Sequence, residues 1–165
     1  MIEREVKLRF ETHEAARQAV IAAGGRLVGS ERPQDDRFLD TADARLNSGG
    51  AALRIRREPG TTTITFKGPV QAGPVKSREE IETTVADADI AESLLARLGY
   101  AERARILKHR EDYRIGDARV FIDRTPVGVF VEIEGTVDTI AATARALGRA
   151  DTDYILDSYR TLYLK

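Results

Sequence analysis

Residues 1–10 read MIEREVKLRF. Glu3, Glu5, Lys7 and Arg9 take alternate positions, and Ile2, Val6, Leu8 and Phe10 the others, with Arg4 as the exception. A period of two is that of a β-strand, whose successive side chains point to opposite faces. One face of this strand is charged and the other apolar. On an exposed sheet the charged face simply meets water. Lining a cavity, it offers a site for a metal and a polyanion.

The alternation recurs along the chain. Arg54 and Arg56 share a face, as do Thr65 and Lys67. So do Arg78, Glu80 and Glu82, then Lys108 and Arg110, then Arg119 and Asp123, and finally Glu132 and Glu134. The opposite faces carry Leu53, Ile55, Ile64, Phe66, Val120, Ile122, Val131 and Ile133. Two architectures fit. In one, an antiparallel sheet packs its apolar face on helices and shows its charged face to water. In the other, the sheet closes, the apolar faces turn outward to the helices, and the charges line a tunnel.

Three features favour the tunnel. Like charges sit in same-sign pairs, and crowded like charges destabilise an exposed strand. Carboxylates can gather around a metal ion, and bases around phosphates. The basic pairs are rich in arginine, whose planar fork grips phosphate oxygens in pairs, with lysine as the point-charge partner.

The remaining sequence supplies helices to cover such a barrel. Thr12 is placed to cap a helix over 12–25. Short strands are expected at 27–31 and 36–40, and a loop at 41–50. A hairpin turns at Pro59-Gly60. Residues 70–76 form a Gly- and Pro-bearing loop that includes Lys76, and a strand follows at 77–85. A helix over 87–99 is capped by Asp87 or Asp89. Residues 103–112 and 113–123 read as two or three strands with a turn at Gly116-Asp117, and 125–135 as a strand with its turn at Pro126 to Gly128; a helix follows at 137–148. A final helix over 151–165 presents Tyr154, Ile155, Tyr159 and Leu162 as an apolar stripe.

Composition narrows the function. The chain has 165 residues, suited to one domain over 1–165. Lys and Arg number 26 against 27 Asp and Glu, a net charge of -1, so broad capture of nucleic acid is not expected. There is no cysteine, which excludes disulfide and thiolate chemistry. No run approaches the ~20 apolar residues of a membrane helix. With no N-terminal signal pattern, a cytoplasmic location and no membrane partner are expected. Only His13 and His109 are present, so an all-oxygen magnesium or manganese site is favoured over a histidine-rich zinc site.

EREVK at 3–7, QDDRFLD at 34–40, GGAALRIRR at 49–57, TFKGP at 65–69, KSREEIE at 76–82, KHREDY at 108–113, FIDRTPVGVFVEIEG at 121–135 and DSYRTLYLK at 157–165 together resemble the CYTH superfamily, the triphosphate tunnel metalloenzymes. The likeness spans nearly the whole chain and is greatest to the class IV adenylyl cyclase (CyaB-like) branch. It implies an α+β fold: an eight-stranded antiparallel β-barrel forming a charged tunnel, with flanking helices. By that resemblance Lys7, Arg54, Arg56, Lys67, Lys108 and Arg110 would hold a triphosphate. Glu3, Glu5, Glu132 and Glu134 would supply oxygen ligands for Mg2+ or Mn2+, with Glu5 and Glu134 holding the principal ion. Asp123, Glu80 and Glu82 would complete the acidic lining. Lys76 looks like a mobile lysine that closes over the phosphates, though it reads equally as a solvated loop lysine. Glu5, Glu134, Lys76 and Asp123 are the candidate catalytic residues. A homodimer is common in this branch.

The implied chemistry is attack on a phosphorus atom of a bound triphosphate. Attack by the ribose 3′-oxygen on the α-phosphorus of ATP gives cyclic AMP and pyrophosphate. Attack by water on the terminal phosphorus of an inorganic or thiamine triphosphate gives orthophosphate. Both need the same clamp, and no base-recognition motif separates them. A third reading is a nucleotide or polyphosphate binder without turnover, which has no use for so many converging acids. His109 is expected to point out of the tunnel, and His13 to be solvated. Tyr159 and Tyr163 are expected to pack in the core or close a barrel end. Arg9, Arg78 and Arg119 are expected at strand ends.

Overall fold

The computed structural model describes residues 1–163. Eight strands run β1 (Ile2–Phe10), β2 (Arg26–Asp40), β3 (Ala52–Glu58), β4 (Thr61–Lys67), β5 (Lys76–Val85), β6 (Ala101–Ile115), β7 (Ala118–Thr125) and β8 (Gly128–Glu134). They pair antiparallel as a closed barrel in the order β1-β5-β4-β3-β2-β6-β7-β8, and β8 returns to β1. The helices are α1 (His13–Ala22), α2 (Arg45–Ser48), α3 (Ala88–Arg97), α4 (Val137–Ala146) and α5 (Tyr159–Tyr163). No described helix is long and apolar enough to cross a membrane.

The closed alternative is the one adopted, and it turns the usual layering inside out. Val6, Leu8, Val120, Ile122, Val131 and Ile133 point outward and pack with Val20 of α1 and Ile140 and Ala144 of α4. Leu39 and Ile55 pack in the same way against Ala91 of α3, with Leu53, Ile64 and Leu95 beside them. The helices are held as the sequence indicates. Thr12 Oγ1 accepts from the Ala15 amide, Asp87 rather than Asp89 accepts from Ile90, and Thr136 accepts from Thr139. Each satisfies one of the free amides of a helix N-terminus.

Four elements differ from the sequence reading. The two short strands expected before residue 41 are one strand of 15 residues, bent by register shifts at Leu27/Gly29, Gly29/Arg32 and Phe38/Leu39. The bulges let a strand carrying Gly29 and Pro33 stay paired while it curves around the barrel. The loop at 41–50 contains α2, tied down by the Asp40 carboxylate, which accepts from the amides of Thr41, Leu46 and Asn47.

Lys76 is the first residue of β5, not part of a loop, because its backbone pairs with Glu5. The final helix over 151–165 is also not formed as one piece. A 3-10 turn at Asp151–Asp153 leads into extended chain, and only Tyr159–Tyr163 is helical; residues 164–165 of that expected helix lie outside the described residues. The break has a backbone cause. The β1–β5 ladder stops at Glu5 and Lys76, and Ile155 takes the place of β5 there. The Lys7 amide donates to Ile155 O at 3.1 Å, and the Ile155 amide to Lys7 O at 2.9 Å. The C-terminal segment thus seals a seam in the barrel wall.

Leu8 is fully buried between β1 and the helices. Leu8→Ala should lower unfolding free energy by roughly 2–5 kcal/mol, measured by chemical denaturation. A loss typical of an exposed strand position would contradict this outward-facing core.

Candidate active site within the barrel

A cavity of about 990 Å³ runs inside the barrel. Strand alternation carries every sequence-predicted site residue to it: all of them line it except Asp123, which lies fully buried in its wall. Burying so many charges is tolerable only if each finds a partner. The pairing divides the interior into three zones.

The first is acidic. Carboxylate oxygens of Glu3, Glu5 and Glu134 lie within 4.8 Å of one another. Glu3 and Glu5 are neighbours on one face of β1, and Glu5 pairs across the ladder with Glu134 of β8. Burial works against the Glu5 charge, but Lys7 and Lys76 outweigh it and hold its carboxyl well below the ordinary value. Lys76 Nζ sits 2.6 Å from Glu5 Oε1 as its internal counter-charge, and burial brings this lysine down to about 8. Glu134 has less help. Burial pushes its carboxyl up to about 7; Arg119, 3.2 Å away, pulls it down, and Glu3 adds to the rise. Burial and the Glu5 charge also raise Glu3. Three hard oxygen donors at this spacing fit a divalent cation of the Mg2+ or Mn2+ type.

Glu132 does not join that group. It lies 3.3 Å from Lys7 and accepts from Arg110, so its carboxylate is committed to bases. It belongs to the second zone, a lattice of alternating charges. Asp123 accepts from Lys108 Nζ at 2.7 Å, from Arg110 Nε at 2.6 Å and Nη2 at 2.5 Å, and from the Tyr159 hydroxyl at 2.8 Å. Burial opposes its charge, but Arg110 and Lys108 hold Asp123 far below the ordinary range. Burial and the Arg110 charge bring Lys108 down to about 8. Asp36 accepts from Arg56 at 2.6 and 2.7 Å.

The third zone is under-compensated. Arg54 is buried, yet its nearest carboxylates are Glu82 at 3.6 Å and Asp36 at 3.8 Å. Burial and the Arg56 charge depress its pKa. Arg54 Nε and Arg78 Nε have no hydrogen-bond partner among the described residues. Lys67 is better served, between Glu3 at 2.8 Å and Glu80 at 2.5 Å, while Glu82 accepts from Thr65.

Sequence reasoning missed Asp36 and the site contacts of Tyr159. Asp36 was detectable: Gln34, Asp36 and Phe38 alternate on β2 as Arg54 and Arg56 do on β3. Tyr159 had no local signal. Arg78 and Arg119, expected at strand ends, reach the acidic group: Arg78 lies 3.7 Å from Glu3. His109 is exposed, as expected. His13 is only partly exposed and lies 3.4 Å from Glu111, outside the barrel. That carboxylate is already paired with Arg17.

The CYTH domain model matches residues 1–159, nearly the whole of this closed barrel. The chain belongs to the CYTH family. A protein of Methanocaldococcus jannaschii named as a candidate adenylate cyclase is 30% identical over 141 residues, covering 85% of this chain and 80% of that one. Adenylate cyclase CyaB of Aeromonas hydrophila is 28% identical over 170 residues, covering 96% and 86%. Among solved structures, a candidate adenylate cyclase from Vibrio parahaemolyticus superposes with a TM-score of 0.88 at 22% identity, covering 100% of this CYTH chain and 99% of the other. That likeness establishes the shared fold.

The Glu134 carboxyl gives a pH prediction. Its folded pKa is about 7 against an ordinary 4.5, so the native protein holds a proton that the unfolded chain releases. The stability linked to this group is complete below about pH 4.5 and is lost as pH rises through about 7. Without metal, Glu134→Gln should therefore be more stable than the parent at pH 8, by on the order of 2 kcal/mol, and nearly equal to it at pH 4. Thermal melts in chelator at both pH values test this. An equal difference at both would contradict the assigned shift.

Proposed function

We propose that this chain is a metal-dependent enzyme acting on a triphosphate, and that its reaction is that of a class IV adenylyl cyclase: ATP to cyclic AMP and pyrophosphate. One observation carries the reading. Buried guanidinium groups with incomplete pairing, Arg54 foremost, share a cavity with a three-carboxylate group. A polyanion would complete the first and a divalent cation the second. A triphosphate with its metal brings both. Two relatives at 30% and 28% identity carry the cyclase name and support the finer assignment.

In this reading Glu3, Glu5 and Glu134 hold Mg2+ or Mn2+. Arg54, Arg56, Lys67, Lys108, Arg110 and Lys7 hold phosphate oxygens. When bound, the ion supplies Lewis-acid stabilisation of charge on the phosphoryl oxygens. Glu132 is assigned to orienting Lys7 and Arg110 rather than to the ion, in keeping with its contacts. Asp123 orients Lys108 and Arg110 from behind. Glu80 and Glu82 keep Lys67 and Arg54 in place. Lys76 gives up Glu5 and swings to the phosphates, a short move made on a strand end and not on a flexible loop. Fixed charges aimed at the phosphates before reaction need no reorganisation during it. A cytoplasmic setting suits such a substrate.

Hydrolysis of inorganic or thiamine triphosphate is the second reading. One feature favours it: Phe121, an aromatic ring in the cavity wall, already carries the guanidinium groups of Arg110 at 4.2 Å and Arg119 at 5.1 Å. That leaves less ring surface for a purine.

The two readings separate in one assay. ATP, tripolyphosphate and thiamine triphosphate are offered in parallel with Mg2+ or Mn2+, and the products resolved. Cyclic AMP with matching pyrophosphate is expected. Orthophosphate from tripolyphosphate with no cyclic product would make the protein a triphosphatase. Glu5→Ala should lower turnover at least ~100-fold, with a cooperative melt retained. Unchanged turnover would remove Glu5 from the site.

A further inference from the structure

Tyr159, from outside the barrel strands, reaches the charged lattice at the barrel centre. It heads α5 and is 8% exposed. Its ring lies 5.0 Å from Lys7 Nζ and 4.6 Å from Lys108 Nζ, both over the ring. Its edge meets Phe130, centroid to centroid at 5.4 Å and 68°. Its hydroxyl donates to Asp123 Oδ2. That same oxygen also takes Lys108 Nζ and Arg110 Nη2, three donors on one atom. The crowding matters because Lys108 has no other carboxylate at salt-bridge distance among the described residues.

A lysine that closes on a phosphate must first leave its carboxylate. Leaving Asp123 with one donor fewer, fully buried, is costly unless another donor holds the vacated lone pair. The hydroxyl of Tyr159 is already in place to do so. The ring face gives both ammonium groups a second attraction that survives the move. The backbone bridge between Ile155 and Lys7 anchors the segment that delivers the ring.

We propose that Tyr159 is a positioning residue for the phosphate clamp: its hydroxyl steadies Asp123 as Lys108 transfers to a phosphate oxygen, and its ring attracts the ammonium groups of Lys7 and Lys108. This rests on the reading of the cavity as a triphosphate site.

The two parts of the side chain separate by substitution. Tyr159→Phe keeps the ring and loses the hydroxyl; Tyr159→Leu loses both. The probe is inorganic tripolyphosphate, titrated calorimetrically into full-length protein at fixed salt with chelator present, so no turnover is required. The Phe variant should bind about tenfold more weakly than the parent, and the Leu variant more weakly again. With metal and substrate, the Phe variant should raise KM with kcat nearly unchanged, a split that a general loss of structure does not give. Should the Leu variant fail to fold, Tyr159→Phe combined with Asp123→Asn tests the same coupling. Removing the charge that retains Lys108 should make the loss of the hydroxyl nearly silent. Parent and Phe variant binding alike would overturn the inference while leaving the triphosphate site intact. A parent protein that binds no tripolyphosphate would overturn the site reading itself, and the inference with it.

Discussion

A charge inside a closed barrel survives only beside an opposite charge. Everything in this fold follows from putting that constraint on eight strands at once. Because Glu5, Lys7, Arg110 and Glu132 point inward, Val6, Leu8, Val131 and Ile133 must point outward, and helices must cover them. Because the interior is charged, its residues are tied by ion pairs that cross strands: Lys67 to Glu3, Lys76 to Glu5, Arg110 to Asp123 and Glu132. The apolar core lies outside the barrel, and the barrel interior is left to polar chemistry.

The pairing is uneven, and the unevenness is where function enters. Asp123, with four donors, and Asp36, gripped by both arms of Arg56, serve as fixed points. Glu134 is poorly compensated and retains a proton up to about pH 7. Arg54 is a buried cation with only distant carboxylates. A structure optimised for stability alone would have matched these groups or replaced them by apolar ones. Keeping a surplus acid group and a surplus basic group in one cavity favours a ligand that carries both signs.

Much of this was legible in the sequence because its signal has a period of two. Residues such as Glu3, Arg54, Glu80, Lys108 and Glu132 mark which positions share the charged face of β1, β3, β5, β6 and β8. Turns at Pro59-Gly60 and Gly116-Asp117 were equally plain. What failed were places where distant backbone decides. Gly29 and Pro33 look like strand breakers, yet bulges against β6 keep β2 whole. Lys76 looks like loop until Glu5 pairs with it. The C-terminal residues carry a helical stripe, but Ile155 is drawn into a bridge with Lys7. Whether the charged faces turned in or out could not be decided by periodicity; closure from β8 to β1 decides it.

The most direct test is the location of an ion and a phosphate chain. Crystals grown with Mn2+ and tripolyphosphate would place both, using the anomalous signal of manganese. Manganese is expected among Glu3, Glu5 and Glu134, with phosphate oxygens against Arg54, Arg56 and Lys108. Manganese bound elsewhere, or phosphate confined to the outer surface, would contradict it.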